Sequence, residues 1–224
     1  MAATTHRFPG ESRAYRAARN KLLNAELKLR KQIEQVAAMR RKLPAGGKVT
    51  HDYEFEEEGG RKVRLSQLFD KDTLVVYSYM YSANMKKPCP MCTSFLDSLD
   101  GAAPHIMQRA NLAVVAKSPI ARILDFTRAR GWRNLRLLSS AGNTYNRDYH
   151  GEAPDGSQNP SLNVFTRRDR AIRHFFHSEL LFAKSEKGQN PRHNDMMWPL
   201  WNVLDVTPEG RGKDWYPGLE YPAK

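Results

Sequence analysis

The chain has 224 residues, of which 40% are hydrophobic and 27% charged, and its formal net charge at pH 7 is +12. This length allows one substantial core with an appendage. No apolar run approaches the roughly 20 residues of a membrane-spanning helix, and the polar, arginine-containing N-terminus lacks the apolar region of a signal peptide. We therefore expect a cytoplasmic protein without a membrane partner.

The positive charge is concentrated near the N-terminus, where residues 1–50 hold 12 of the 36 Lys and Arg residues and only three Glu. Residues 11–43 contain no Gly or Pro, which predicts one long basic helix ended by Pro44. Its apolar residues recur in alternating steps of three and four, as in a heptad seam with one polar interruption. The members of this seam are Tyr15, Ala18, Leu22, Ala25, Leu29, Gln32, Val36, Met39 and Leu43.

The seam has two interpretations. It can pack on the chain's own globular part, or it can pair with the same helix of a second subunit. We favour a homo-oligomer, because a helix of this length extends beyond a small domain. Its basic charge is also suited to nucleic acid, but a solvated helix face is the commoner reason for such a segment, so we expect no nucleic-acid partner.

The elements after Pro44 alternate between strand and helix. Alternating runs on both sides of Gly59-Gly60 predict a hairpin, and residues 66–69 predict one helical turn. The remaining predicted elements are strands at 73–79, 112–116 and 135–138, helices at 93–109 and 118–130, a hairpin at 162–176 with its turn at Arg168-Asp169, and a last helix between Pro199 and Pro208. We expect Gly101 and Pro104 to break the helix at 93–109, and Ser118 to cap the helix at 118–130.

This order predicts a layered α/β fold, with a mixed, largely parallel sheet flanked by helices. We divide the chain into a long basic amphipathic helix at 1–48, the layered domain at 49–206, and a C-terminal tail at 207–224 that packs on the core. Large aromatic side chains near a C-terminus are more typical of anchors for the last segment than of a ligand pocket. Those residues are Trp198, Trp201, Trp215 and Tyr216.

The chain's two cysteines, Cys89 and Cys92, form a CPMC motif between the predicted strand at 73–79 and the predicted helix that follows. This places the first sulfur at a helix N-terminus, where free backbone N–H groups and the helix dipole favour a thiolate. Lys86 and Lys87 add positive charge, and Pro90 fits the first helical turn. We predict that Cys89 is the exposed, attacking sulfur and that Cys92, one turn further in, resolves the mixed disulfide.

Pro160 directly precedes the strand that opens the last hairpin. In the thioredoxin superfamily a cis-proline stands at this place, faces the CxxC and presents its backbone to the substrate. A cis bond before proline costs little. An ordinary loop proline is an equally weighted interpretation of Pro160, so Pro90 and Pro160 are our candidate substrate-binding residues with this alternative open.

Other site types have weak support. A zinc site needs two further ligands near the cysteines; His105 is the nearest histidine, and His174 and His177 straddle the end of a predicted strand. We therefore expect no metal and no cofactor. The sequence has no G-x-S-x-G elbow and no nucleotide-binding glycine loop. Residues 73–80 contain no carboxylate to assist Cys92, and Lys86 stands where a typical peroxiredoxin has a threonine or serine.

The whole chain is similar to a bacterial thioredoxin-like family that is catalogued only as a domain of unknown function, number 899. The matching segments are 18–23 (ARNKLL), 53–55 (YEF), 89–92 (CPMC), 99–105 (LDGAAPH), 131–132 (GW), 139–149 (SSAGNTYNRDY), 164–165 (VF) and 201–210 (WNVLDVTPEG). The resemblance implies a thioredoxin-like fold with an N-terminal helical extension. It implies little about the substrate.

Two classes of function remain. The first is an enzyme, either a thiol–disulfide oxidoreductase that acts on a protein or small-molecule disulfide, or a thiol peroxidase-like enzyme. The second is a non-enzymatic binding protein in which the basic helix carries the interaction and the CPMC motif senses redox state. The reactivity of Cys89 across pH separates the two classes, because a catalytic thiolate forms well below the ordinary cysteine pKa of roughly 8.5.

Overall fold

The computed structural model of the protein describes residues 6–189, 197–212 and 215–221. The described residues form two compact units that divide between Pro44 and Ala45. We describe the units separately. No helix among the described residues is both long and apolar enough to cross a membrane.

The N-terminal unit consists of helix α1, Arg13–Arg41, which confirms the predicted long helix. The Ser12 side chain caps it by accepting a hydrogen bond from the Tyr15 N–H at 3.1 Å. Just inside the first turn, the Arg16 guanidinium is buried and paired with the Glu11 carboxylate. Most large side chains of the heptad seam lie on the exposed side of the helix. Exposed fractions are 51% for Tyr15, 48% for Leu22, 55% for Leu29, 69% for Met39 and 44% for Leu43.

The globular unit is built on one sheet, which has seven strands within the described residues, in the order β2-β1-β5-β4-β3-β6-β7. The strands are β1 Glu54–Glu56, β2 Lys62–Arg64, β3 Thr73–Tyr79, β4 Asn111–Ala116, β5 Leu137–Ser139, β6 Ser161–Arg168 and β7 Ala171–His177. The central strands β3, β4 and β5 are parallel, and the outer strands pair antiparallel. The predicted mixed sheet is therefore confirmed. The expectation that it is largely parallel is wrong, because only two of the six described strand pairings are parallel.

Helices cover the sheet unequally. They are α2 Pro90–Ile106, α3 Ile120–Arg130, α4 Tyr145–Asp148 and α5 Pro199–Leu204, with short 3-10 turns at Glu58–Gly60, Leu65–Leu68 and Glu179–Leu181. Side chains of α2, α3 and α5 pack on one face, which we call the helical face. The turn at Leu65–Leu68 and α4 pack on the opposite face. Because side chains alternate along a strand, Tyr77 and Tyr79 of β3 point to the helical face while Leu74 and Val76 point away from it.

Two predicted details of the helices differ from the structure. Helix α2 continues past Gly101 and contains Pro104 in its last turn, so the predicted break is wrong. Proline there removes the N–H that would bond the Asp100 carbonyl, and the Asn134 side-chain amide donates to that carbonyl instead, at 3.1 Å. Pro119, not Ser118, occupies the N-cap position of α3, and no side chain caps the helix there. Ser118 is buried, and its carbonyl accepts from the Ser139 hydroxyl at 2.6 Å.

The turn between β6 and β7 is formed by Asp169 and Arg170, one residue later than predicted. Both residues have positive φ, 49° and 62°, as the tight hairpin turn of type I′ requires. With this turn the hairpin lies antiparallel beside β3. The β3–α2–β4 crossover and the adjacent hairpin together form a thioredoxin-like fold, extended at the N-terminus by α1.

The described part of the tail contacts the globular unit. The Arg130 guanidinium donates to the Leu219 carbonyl at 2.9 Å, and the Lys87 ammonium pairs with the Glu220 carboxylate at 2.6 Å. The Trp215 ring meets the buried Trp201 ring edge-on, with centroids 5.9 Å apart. These contacts bring the tail to the end of the sheet where the CPMC motif lies.

Candidate active site

Cys89 is held at the N-terminus of α2 by its backbone. Its N–H donates to the Met80 carbonyl at 3.0 Å, and its carbonyl accepts from the Thr93 N–H at 3.0 Å. The Thr93 hydroxyl donates to the same carbonyl at 2.9 Å and lies 2.8 Å from the Tyr79 hydroxyl. Pro90 occupies the first helical turn, as predicted. The end of β3 and the start of α2 are thereby tied together around the first sulfur.

The loop between β3 and Cys89 is fixed by Arg122 of α3, a residue that the sequence did not single out. Its guanidinium donates to the Ser82 and Ala83 carbonyls at 3.0 Å each. It also donates to the carbonyls of Met85 and Lys86, and it lies 4.5 Å from the centre of the Tyr81 ring. One side chain therefore binds four carbonyl groups of the loop that leads to the thiol.

The Cys89 thiol is predisposed to ionise. A hydrogen bond from the Cys92 thiol lowers the Cys89 pKa to about 6, helped by the backbone N–H groups of Cys92 and Met91 and by the Tyr216 side chain, against the opposing effect of burial. At pH 7 a group with this pKa is about nine-tenths thiolate. The predicted cause was different in part, because Lys87 pairs with Glu220 in this structure rather than with the sulfur.

The two sulfurs differ in burial. Cys92 is 1% exposed, and burial raises its pKa, as does the neighbouring Cys89. It is therefore the protonated donor in the hydrogen bond between the two thiols. Cys89 is half-buried rather than exposed as predicted, because it packs against the helical-face core.

An aromatic cluster supports the CPMC turn from the helical face. The Trp198 indole N–H donates to the Met91 carbonyl at 3.1 Å, and the Trp198 ring lies 4.8 Å from Phe95. Phe95 in turn lies 4.8 Å from Tyr77. Trp198 and Trp201 are 5% and 1% exposed, so these two residues anchor the segment before and within α5.

Pro160 lies at the same end of the sheet as the cysteines, since Ser161 pairs with Ser78 near the end of β3. The described residues contain no cis peptide bond, so the Asn159–Pro160 bond is trans and the cis-proline interpretation is wrong. The Asn159 N–H donates to the Gly151 carbonyl at 3.0 Å, and the chain passes from that bond directly into β6 without a reversal at the proline.

The histidines named from the sequence lie away from the sulfurs. His174 and His177 line a cavity of about 600 Å³ with His150, and the contact between His174 and Phe165 places this cavity on the opposite face of the sheet. Burial lowers the pKa of both His174 and His177. Within the described residues, no three or more His, Cys, Asp or Glu side chains are grouped so that they could hold a metal ion.

Sequence reasoning missed Tyr77, which packs with Cys92 in the helical-face core and lowers the pKa of its thiol. It also missed Arg122 and Thr93. The sequence contains a signal for Thr93 alone, because a threonine directly after a CxxC can bond back to the start of its own helix. Tyr77, Arg122 and Tyr216 come to the site from other elements, and the sequence carries no local signal for them.

A thiol pair at the start of a helix that follows a central strand, with an antiparallel hairpin beside that strand, defines a thioredoxin-like protein with a dithiol site. Sequence comparison adds the family: the profile of the bacterial proteins of unknown function DUF899 matches residues 5–221, and the chain belongs to this family. A search of curated proteins finds no match.

The fold is similar to that of several solved structures of low sequence identity. Peroxidoxin BcpB from Mycobacterium tuberculosis is 22% identical, with a TM-score of 0.45 over 58% of this chain and 82% of that protein. Peroxiredoxin Q from Xanthomonas campestris is 15% identical, with a TM-score of 0.46 over 59% and 84%. The exposed lipoprotein thioredoxin Etrx1 from Streptococcus pneumoniae is 14% identical, with a TM-score of 0.43 over 57% and 87%.

Proposed function

We propose that this protein is a thiol–disulfide oxidoreductase that uses the Cys89–Cys92 dithiol to reduce a protein or small-molecule disulfide in the cytoplasm, without a bound cofactor. The observation that carries the proposal is the contrast between the two sulfurs. Cys89 accepts a hydrogen bond from Cys92 and has a pKa of about 6, whereas Cys92 is a buried thiol with a raised pKa. Cys89 is therefore the sulfur that attacks the substrate, and Cys92 is the sulfur that resolves the mixed disulfide.

The reaction has two exchange steps. The Cys89 thiolate attacks one sulfur of the substrate disulfide, forms a mixed disulfide with it and releases the first substrate thiolate. The Cys92 proton passes to that thiolate. The Cys92 thiolate then attacks the Cys89 sulfur, breaks the mixed disulfide and releases the second substrate thiolate, which takes a proton from solvent. The substrate gains two electrons and the enzyme becomes a disulfide, which an external dithiol reduces again.

Two prolines frame the approach to Cys89 in this proposal. Pro90 fixes the first turn of α2, so that the amides of Met91 and Cys92 point at the sulfur. Pro160 directly precedes β6, at the same end of the sheet, and the bond before it is trans. A substrate chain bound along this end of the sheet would contact the Pro160 backbone. The substrate pairs with backbone there rather than with a particular side chain.

The test uses dithiobis-nitrobenzoate, an aromatic disulfide whose thiol products are coloured. The reduced protein should release two coloured thiols per chain, one in each exchange step. Cys92→Ser should release one and retain the other as a mixed disulfide visible by intact mass. Cys89→Ser should lose the fast first release by about a thousandfold, because the buried Cys92 cannot replace it.

The outcome that overturns the proposal is equal, slow reaction of both sulfurs. That result would favour a binding protein with an inert CPMC motif. If Cys92→Ser retained no mixed disulfide while Cys89 still reacted fast, the assigned order of the two sulfurs would be wrong. Reaction with hydrogen peroxide in the same single-turnover format separates disulfide reduction from the peroxidase-like alternative.

A further inference from the structure

Tyr77 presents an unusual polar group in the core. Its side chain is completely buried, and its hydroxyl makes no hydrogen bond of ordinary length and angle with any described residue. Buried tyrosine hydroxyls normally find a partner. Two others near the sheet do so: Tyr79 lies 2.8 Å from the Thr93 hydroxyl, and Tyr53 donates to the Asp148 carboxylate at 2.8 Å. The buried Tyr145 hydroxyl on the opposite face is also unpartnered, so the interest of Tyr77 is its place on the face that carries the cysteines.

Tyr77 packs against the face of α2 that carries Cys92, because its ring contacts Phe95, which lies three residues after Cys92 in the same helix. The side chains of Tyr77 and Cys92 both belong to the helical-face core, and the ring of Tyr77 is held against Phe95 at 4.8 Å and Trp198 at 6.5 Å. The two groups influence each other's ionisation, because the Tyr77 hydroxyl lowers the pKa of Cys92 and Cys92 raises that of Tyr77. The unpartnered Tyr77 hydroxyl therefore belongs to the same part of the core as Cys92, the less reactive of the two sulfurs.

Cys92 needs such a partner only in the second exchange step. In the resting protein its proton is shared with the Cys89 thiolate. Once Cys89 is part of a mixed disulfide, that acceptor is lost, and Cys92 must itself become a thiolate in apolar surroundings. Burial opposes this charge. Strand β3 offers no carboxylate to take the proton, so a donor that stabilises the sulfur anion is the remaining means of activation.

We propose that Tyr77 is a further catalytic residue, which donates a hydrogen bond from its hydroxyl to the Cys92 sulfur as that sulfur becomes a thiolate and attacks the mixed disulfide. This inference rests on the dithiol reaction proposed above. Tyr77 keeps its proton throughout. The Cys92 proton goes to the first substrate thiolate or, with an aromatic disulfide whose thiolate is a weak base, to water. The new sulfur–sulfur bond forms between Cys92 and Cys89, and the bond between Cys89 and the substrate breaks.

The same aromatic disulfide tests this role, because its two releases can be timed separately in single turnover. Tyr77→Phe should leave the first release within about twofold of the wild-type rate, and should slow the second by about tenfold or more, as expected for loss of a hydrogen bond to a charged group. The pH profile of the second release should also move to higher pH, which a merely structural defect would not cause.

Tyr145→Phe is the matched control, since it removes a hydroxyl that is also fully buried and unpartnered but lies on the opposite face of the sheet from the cysteines. Its second release should keep the wild-type pH profile. Phenylalanine preserves the ring contacts of Tyr77, and the hydroxyl it removes is unpartnered, so thermal unfolding of Tyr77→Phe should match the wild type. Tyr77→His, whose ring can still donate a hydrogen bond, should recover part of the second-release rate and supplies a second test if the phenylalanine variant does not fold.

The outcomes are distinguishable. If wild type releases two coloured thiols and Tyr77→Phe shows an unchanged rate and pH profile for the second, the role of Tyr77 is overturned and the oxidoreductase proposal stands. If wild type never releases the second thiol, the dithiol reaction itself is overturned. A slow second release in both Tyr77→Phe and Tyr145→Phe would indicate loose packing and would also reject the specific role.

Discussion

The two units of the chain place their apolar side chains in opposite ways. In α1 the regular heptad seam is the exposed side, with Leu29 55% and Met39 69% exposed. In the globular unit the alternating residues of β3 are enclosed on both faces, and Leu74, Val76 and Tyr77 are 0% exposed. Both patterns are regular, and both use ordinary apolar residues. Periodicity therefore indicates which side of an element is apolar, whereas the surroundings decide whether that side is covered.

The largest expected difference between the units concerns stability. Leu96→Ala removes a fully buried side chain of α2 and should lower the free energy of unfolding by about 2–5 kcal/mol. Leu29→Ala, the matched substitution in the α1 seam, should change it by less than about 0.5 kcal/mol at low protein concentration, because alanine is an equally good helix former. Urea unfolding of both variants measures the contrast. Equal losses would show that the seam is covered as completely as the core.

A second experiment asks whether another copy of the chain covers the seam. We expect self-association through α1, because its heptad spacing with Gln32 at one seam position is the pattern of paired helices. Leu22→Glu combined with Leu29→Glu should convert the oligomer to a smaller species in sedimentation velocity. Since the helix is strongly basic, added salt should strengthen association of the unmodified chain. A wild-type chain that stays monomeric at every concentration and salt level would contradict the prediction.

The smallest expected effect concerns the tail. Tyr216→Phe removes a side-chain hydrogen bond that lowers the Cys89 pKa. Because a cysteine with a depressed pKa is a thiolate above that pKa and a thiol below it, alkylation of wild type should be half-maximal near pH 6. The variant's profile should move to higher pH, with about twofold slower alkylation at pH 6 and no change at pH 9.

Tyr221→Phe provides the control for the tail, since its hydroxyl contacts Arg130 rather than a cysteine. Its alkylation profile should coincide with that of wild type. If the alkylation profile of Tyr216→Phe also coincided with that of wild type, the tail would not contribute to the low Cys89 pKa. That pKa would then depend on the groups of α2 alone.

The sequence predicted those features that depend on neighbours along the chain. Strand β3 has the predicted bounds, Thr73–Tyr79, because a short β-branched and aromatic run has one clear conformation. The CPMC motif begins a helix for an equally local reason, with Pro90 in its first turn. Features set by distant contacts escaped prediction. Pro104 does not break α2, because Asn134, thirty residues further on, bonds the carbonyl that the proline leaves free.

The chemistry of the candidate site divides in the same way. The helix N-terminus that favours a thiolate at Cys89 follows from the place of the motif in the chain, and Cys92 one turn further in follows from the spacing. The hydrogen bond from Cys92, which lowers the Cys89 pKa most, was not predicted. Tyr77 and Tyr79 both lie on the face of β3 that packs on α2. Their positions along the strand decide which of them lies near Cys92, and these positions depend on tertiary packing. The bond before Pro160 is trans, and the local sequence does not decide this, because a bond before proline can adopt either isomer.

The indole of Trp198 bonds the carbonyl in the middle of the CPMC turn, and Trp198 stands near the end of the chain. During synthesis the motif leaves the ribosome roughly a hundred residues before this partner does. The nascent protein therefore carries both cysteines before the indole that bonds the turn between them has been synthesised. The complete CPMC turn is a product of the folded domain and not of the motif by itself.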